Sequence, residues 1–180
     1  MPRLLQVLPF GEELFDVVKT FGCGAEPWEA EVADWIKRRN GALRQVSRGR
    51  CLVWLYFTDE DDLVGYGSLG PHDWVWPDLN SPPRTTHHIP YMGVDARYQR
   101  EPSDEPPEWR YSSQIIRHLL GQAIREADEN PSRERILGLY VHPANTRAIR
   151  FYERVGFQPY EKRFRDPHTN IEYLAMFRRL

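Results

Sequence analysis

Apolar residues recur along this chain with two different periods, and the change between them marks out the elements. "LLQVLPF" predicts a short opening strand, and Leu14, Phe15, Val17 and Val18 in "GEELFDVVKTF" predict a helix ended by the Gly-Cys-Gly at 22–24. "EPWEAEVADWIKRRNG" predicts a second helix: Pro27 suits its first turn, Trp28, Val32, Trp35 and Ile36 recur at helical spacing, and Asn40-Gly41 supplies a stop. "CLVWLYF" and "LVGYGSLG" read as strands joined through "DEDD", so 51–70 is expected to form an antiparallel hairpin. "PHDWVWPDLNSPPRT" has no period and is expected to be a long surface loop. "HHIPYMGVDARY" resumes as a strand, with Pro90 removing one ladder donor and implying a bulge or an unpaired edge.

A second irregular segment, "QREPSDEPPEW", precedes a helix in which Ile115, Ile116, Leu119, Leu120 and Ala123 share a face, with Ser112 or Ser113 available as N-cap. "RILGLYV" is a buried strand, Asn145 to Val155 a helix, and "FQPYEKRF" and "IEYLAMFRR" close the chain as strands. The order βααββ-loop-βαβαββ, with no internal repeat or linker, predicts one mixed α/β (α+β) domain over residues 1–180 with helices on the faces of its sheet.

Composition narrows the classes. At 180 residues the chain can bury a core without a staple, and Cys23 and Cys51 match no metal or disulfide spacing, so both are expected as buried thiols in a reducing compartment. The 24 Lys and Arg are balanced by 26 Asp and Glu, which argues against a broad nucleic-acid face while leaving room for a local basic patch. The N-terminus has no secretory pattern and no run reaches membrane-spanning length, so a cytoplasmic protein with no membrane partner is expected. His72, His87, His88 and Asp73 are ligand types, but no pair has ligand-like spacing, and no metal is expected.

Two motifs invite chemistry. Gly65, Gly67 and Gly70 spell a dinucleotide fingerprint, but the residues that follow run into the proline-rich segment instead of opening a helix, so close backbone approach within a strand is the expectation. In "VHPANTRAIRFYERVGF", Asn145 is placed to cap a helix whose Ala148, Ile149, Tyr152 and Val155 share one face, and Gly156 is placed to end it in the left-handed conformation. Helix packing explains every one of these except the hydroxyl of Tyr152.

Asn145, Ala148, Phe151, Tyr152, Glu153, Gly156 and Phe157 together resemble the C-terminal motif of the GNAT superfamily of acyl-CoA-dependent N-acetyltransferases. "DLVGYGSLG" is similar to that family's third strand, "IPYMGVDARYQ" to its fourth, and "SSQIIRHLLGQAIREA" to the helix after its pyrophosphate loop. The resemblance implies a mostly antiparallel mixed sheet of about seven strands, splayed between the fourth and fifth and flanked by about four helices. It implies acetyl-CoA as cofactor and an amine as acceptor. Met92, Gly93 and Val94 would pair with the pantetheine arm and polarise the thioester carbonyl, Asn145 would lie at the cofactor site, and Tyr152 would protonate the departing thiolate.

The family's loop of form Q/R-x-x-G-x-G/A is altered here, with Arg110 and Ser112 standing where its two glycines belong. Either the amides of Tyr111, Ser112 and Ser113 still face the phosphates with Arg110 adding donors, or the bulkier residues and nearby acids leave a module that no longer turns over. Counting back along the fourth strand puts His88 where some members carry a basic Glu, so His88 is the candidate base; the alternatives are water, or His87 and His88 as surface residues at a strand's start. Asp73, Trp74 and Trp76, on the segment between the third and fourth strands, would suit a cationic amine. Small molecules and proteins are the expected acceptors, and homodimers are common in the family.

Overall fold

A computed structural model describes residues 5–74, 84–99, 109–166 and 170–180. Among them lie eight strands and four α-helices, and they cluster into two compact units. The first unit takes residues 1–70 and 91–121, the second 71–90 and 122–180.

In the first unit, β1 (Gln6–Pro9), β2 (Leu52–Phe57) and β3 (Leu63–Trp74) form an antiparallel run, and the short β5 (Met92–Val94) pairs with the other edge of β3. The "DEDD" turn joins β2 to β3 with Asp61 at a φ of 61°, as the hairpin reading expected. Helix α1 (Pro27–Lys37) starts on Pro27, and Glu29 reaches back to accept from the Glu26 N–H at 3.1 Å. It stops at Arg38, whose backbone is extended, before Asn40-Gly41; a π-helical turn over Arg39–Leu43 and a short α2 (Arg44–Ser47) follow. The helix expected in "GEELFDVVKTF" is instead two 3₁₀ turns, Glu12–Leu14 and Val17–Thr20. The cluster there is too short to present a continuous face: Phe15, Val18 and Phe21 are buried, Leu14 is partly buried and Val17 is exposed. That core gathers Phe10, Val18, Phe21, Ile36, Leu55 and Tyr66.

The glycines of β3 let a helix come close. A Cβ on Gly65 would sit 2.9 Å from Ile115 Cδ1, and one on Gly67 would sit 2.8 Å from Leu119 Cδ1. Both partners lie on α3 (Tyr111–Glu129), whose first eleven residues belong to this unit. The fingerprint spacing therefore serves packing, as the residues around it suggested.

In the second unit, β4 (Arg84–Ile89) runs parallel to β6 (Ile136–Val141), which pairs antiparallel with β8 (Glu172–Arg179), which in turn pairs with β7 (Gln158–Arg165). Leu137, Leu139, Ala175 and Met176 fill its interior. The β4–β6 ladder ends at Ile89 opposite Leu139, and after Pro90 the chain resumes as β5 on β3. Pairing changes partner at the proline that lacks a donor.

Pro71 to Trp74, expected to open a loop, are instead strand, and residues 75–83 of that segment lie outside the described residues. β3 continues through Pro71, His72, Asp73 and Trp74, where the Thr85 hydroxyl donates to Asp73 at 2.6 Å and that of Thr86 to the His72 carbonyl at 3.3 Å. No helix among the described residues is long and apolar enough to cross a membrane.

Candidate functional site

Helix α4 (Thr146–Arg154) carries the motif that set Tyr152 apart. Asn145 Oδ1 accepts from the Ala148 N–H at 3.1 Å, closing the first turn as an N-cap. At the other end Gly156 adopts a φ of 89°, and the Phe157 N–H returns to the Tyr152 carbonyl at 3.0 Å. The Phe157 ring packs edge-on against Tyr152, with centroids 5.6 Å apart. Tyr152 is thus held from both ends of a nine-residue helix and buried. Burial pushes its phenol up to about 12, so it stays protonated at neutral pH.

On β5 the ladder decides which backbone groups remain available. The Ser68 N–H donates to the Tyr91 carbonyl and the Asp95 N–H to the Val64 carbonyl, at 3.0 and 2.7 Å. Residues 91, 93 and 95 therefore turn their polar groups toward β3, and Met92 and Val94 turn theirs to the opposite edge. The Val94 carbonyl there accepts from the Gln99 side chain at 2.9 Å. Gly93 contributes its missing side chain: a Cβ would lie 2.7 Å from Cys23 Sγ and 2.9 Å from Val32 Cγ1.

Helix α3 opens at Tyr111, so Ser112 and Ser113 lie within its first turn, two and three residues past the N-cap position expected of one of them. The first intrahelical bond is Gln114 N–H to the Arg110 carbonyl at 3.0 Å, which makes the amides of 111–113 the first-turn donors that a helix does not satisfy internally. Arg110 precedes them with its Nε buried and without a hydrogen-bond partner among the described residues. Tyr111 is buried edge-on to Tyr98. First-turn amides beside a guanidinium suit an anion. The acidic segment before Trp109, with Glu101, Asp104, Glu105 and Glu108, lies outside the described residues, as does Arg100. Arg97 is taken by Asp95, its Nε 2.8 Å from that buried carboxylate.

The histidines are not at the surface. His87 and His88 are both buried, and the Nε2 of each lacks a hydrogen-bond partner among the described residues. His88 stacks on His72 at 4.7 Å and lies within 6.2 Å of the Trp74 ring. Burial, reinforced by neighbouring His72, pushes it down to about 3. Its ring is neutral at physiological pH and a weak proton acceptor.

Trp74 is likewise buried: it stacks on Tyr140 at 5.0 Å, and its ring covers Gly138, where a Cβ would meet Cζ2 at 2.5 Å. Its faces are engaged in packing, contrary to the exposed aromatic expected from a loop. Asp73 is exposed and bonded to Thr85, and Trp76 lies outside the described residues. The pairing of His72 Nε2 with the Tyr140 hydroxyl, 3.3 Å apart, was not foreseen. The aromatic run "HDWVW" was the signal for it. No group of His, Cys, Asp and Glu among the described residues is arranged to hold a metal.

The acetyltransferase (GNAT) family model matches residues 112–157, which contain α3, β6 and α4. No curated protein matches the sequence at a significant level. Solved structures agree along nearly the whole chain. A bacterial toxin superposes with a TM-score of 0.70 at 15% identity, covering 98% of this chain and 91% of its own. AtaT complexed with acetyl-methionyl-tRNAfMet gives 0.63 at 16%, covering 98% and 95%. The NatC complex bound to a Gag peptide and CoA gives 0.55 at 16%, covering 98% of each chain. The mixed sheet, with its one parallel ladder and four helices, is the GNAT fold. The chain thus has the fold of the GNAT acetyltransferases, and its residues 112–157 match that family's model.

Proposed function

We propose that this protein is an N-acetyltransferase that moves an acetyl group directly from acetyl-CoA to a primary amine. The observation that carries the reading is Tyr152, a buried phenol fixed on a doubly capped helix and protonated, as any phenol is, at neutral pH. A helix packed for stability alone has no use for that hydroxyl. Similar proteins have been solved with CoA and a peptide, and with an acetylated aminoacyl-tRNA. The first motivates the choice of cofactor, and both widen the acceptors worth screening beyond small molecules to peptides and aminoacyl-RNA.

Acetyl-CoA supplies the activated acyl group as a thioester. In the first unit, Met92 and Val94 direct N–H groups away from β3 and suit the pantetheine arm and the oxyanion that develops on the thioester carbonyl. The first-turn amides of Tyr111, Ser112 and Ser113, with Arg110, suit the pyrophosphate. In the second unit Tyr152 is the acid. The amine nitrogen bonds to the carbonyl carbon, the carbon–sulfur bond breaks, and the departing sulfur takes the phenol's proton, which solvent then restores. Water takes the amine's proton in this reading, because His88 is held neutral and far from the basicity the task needs.

The test is a calorimetric titration with acetyl-CoA and with its 3′-dephospho form, followed by an acetyl-transfer screen across amines, peptides and aminoacyl-RNA. Micromolar binding with turnover of one acceptor class is expected. Absence of binding up to millimolar cofactor would show that Arg110 and Ser112 have ended the phosphate cradle, leaving a GNAT fold without the activity.

A further inference from the structure

We propose that the second unit carries a binding groove for the phosphate backbone of a nucleic acid, built where α4 ends and β8 finishes. The groove has a volume of about 830 Å³ and is walled by Arg154, Gly156, Gln158, Phe177, Arg178 and Arg179, together with Val155. Three arginines are among the residues that line it, and no Asp or Glu is. None of these residues belongs to the acetyl-transfer machinery, so the proposal goes beyond that reading.

The charges there are available. Elsewhere in the unit arginines are neutralised: Arg133 by Glu126 at 3.2 Å, Arg135 by Asp128 at 2.5 Å, and Arg163 by Glu172 at 2.9 Å. Arg154, Arg178 and Arg179 form no ion pair among the described residues. Arg178 donates to the Val155 carbonyl, which orients its guanidinium without cancelling its charge. Gly156, in the left-handed conformation that ends α4, lies beside it, where a Cβ would be in ordinary contact with Arg178 Nη1 at 3.4 Å.

The near-neutral total conceals this concentration. Residues 131–180 hold ten Lys and Arg against five Asp and Glu, in a chain whose formal net charge is −2. Arg150 and Arg154, four residues apart, lie exposed along α4 and lead into the groove over about 6 Å of helix. A track of guanidinium forks suits a chain of regularly spaced phosphates better than it suits one small anion. The half-buried Phe177, whose ring meets that of Tyr160 edge-on at 6.1 Å, adds apolar surface to the wall. These features favour a nucleic-acid backbone over an acidic peptide, which needs no aromatic wall.

The experiment is fluorescence anisotropy with a labelled RNA hairpin and a DNA hairpin of the same sequence, from 50 to 200 mM salt, without acetyl-CoA. Arg154→Gln with Arg179→Gln is the test variant, since neither side chain holds the fold through an ion pair, and circular dichroism checks that the variant is folded. Wild-type protein is expected to bind, with preference for one hairpin identifying the backbone. The double variant should bind at least tenfold more weakly, with a log K against log salt slope shallower by about 1.8. Arg163→Gln, altering an arginine already paired with Glu172, should leave the slope unchanged. Absence of wild-type binding, equal slopes for wild type and double variant, or displacement of the hairpin by a polyglutamate peptide of equal charge would each overturn the proposal. Because no acetyl-CoA is present, failure here leaves the acetyltransferase reading standing, and failure of acetyl transfer leaves this one standing.

Discussion

Buried His88, stacked on half-buried His72, makes the second unit sensitive to mild acid. His88 is enclosed by His72, Trp74 and Tyr140, with its Nε2 unpartnered among the described residues, and is pushed down to about 3 from an ordinary value of 6.5. Between those values the unfolded chain protonates this side chain and the folded chain does not. The folded pKa is depressed, so the contribution is complete above about pH 6.5 and is lost as pH falls toward 3, at about 1.4 kcal/mol per pH unit. Over the whole interval the loss reaches about 5 kcal/mol, comparable with the total stability of a typical domain. Burial also lowers His72, against the pull of Asp73, and lowers His87, with Arg133 and Arg135 acting in the same sense. The perturbation is His88→Phe, which keeps a ring against its neighbours and removes the titration. Urea unfolding of both proteins at pH 7.5, 6.0, 5.0 and 4.5 should show the stability difference shifting against the wild type by about 1.4 kcal/mol per unit below pH 6.5. A difference that stays constant across that range would refute the reasoning. So would a His88 ring resonance that titrates near pH 6.5.

Three further outcomes are expected. Replacing Tyr152 by Phe should lower acetyl transfer by about 100-fold or more while acetyl-CoA affinity changes little, and unchanged turnover in a stopped-flow assay would remove the acid role. Gly93→Ala forces a methyl against Cys23 Sγ and Val32 in the first unit, and should cost about 1–3 kcal/mol by urea denaturation. Burial pushes Cys23 up to about 12 and Cys51 up to about 11, so at pH 8 neither should react with a thiol reagent until the protein unfolds; rapid labelling of the native protein would contradict their burial.

Several features were legible because their causes are local. Asn145 caps α4 and Gly156 ends it through bonds within a few residues of sequence, so the pattern of one stretch suffices to place Tyr152. The β2–β3 hairpin and the Pro27 helix start rest equally on nearby residues. What the sequence left open depends on partners far along the chain. Trp74 looks like a loop residue until Thr85 and Thr86 extend the strand beneath it and Gly138 makes room for its ring. His88 looks like a candidate base until its burial against His72 removes the basicity. Gly93 looks like a cofactor contact until the register turns its amide toward Tyr66. Even charge followed this rule, since the total near neutrality said nothing of where arginines remain without carboxylates. Sequence alone determined the β2–β3 hairpin, the start of α1, both caps of α4 and the motif that resembles the family, because turns and helix ends of this kind are set by short-range hydrogen bonding. Tertiary structure decided which side chains keep a usable proton or charge, because burial and pairing are set by residues that only folding brings together.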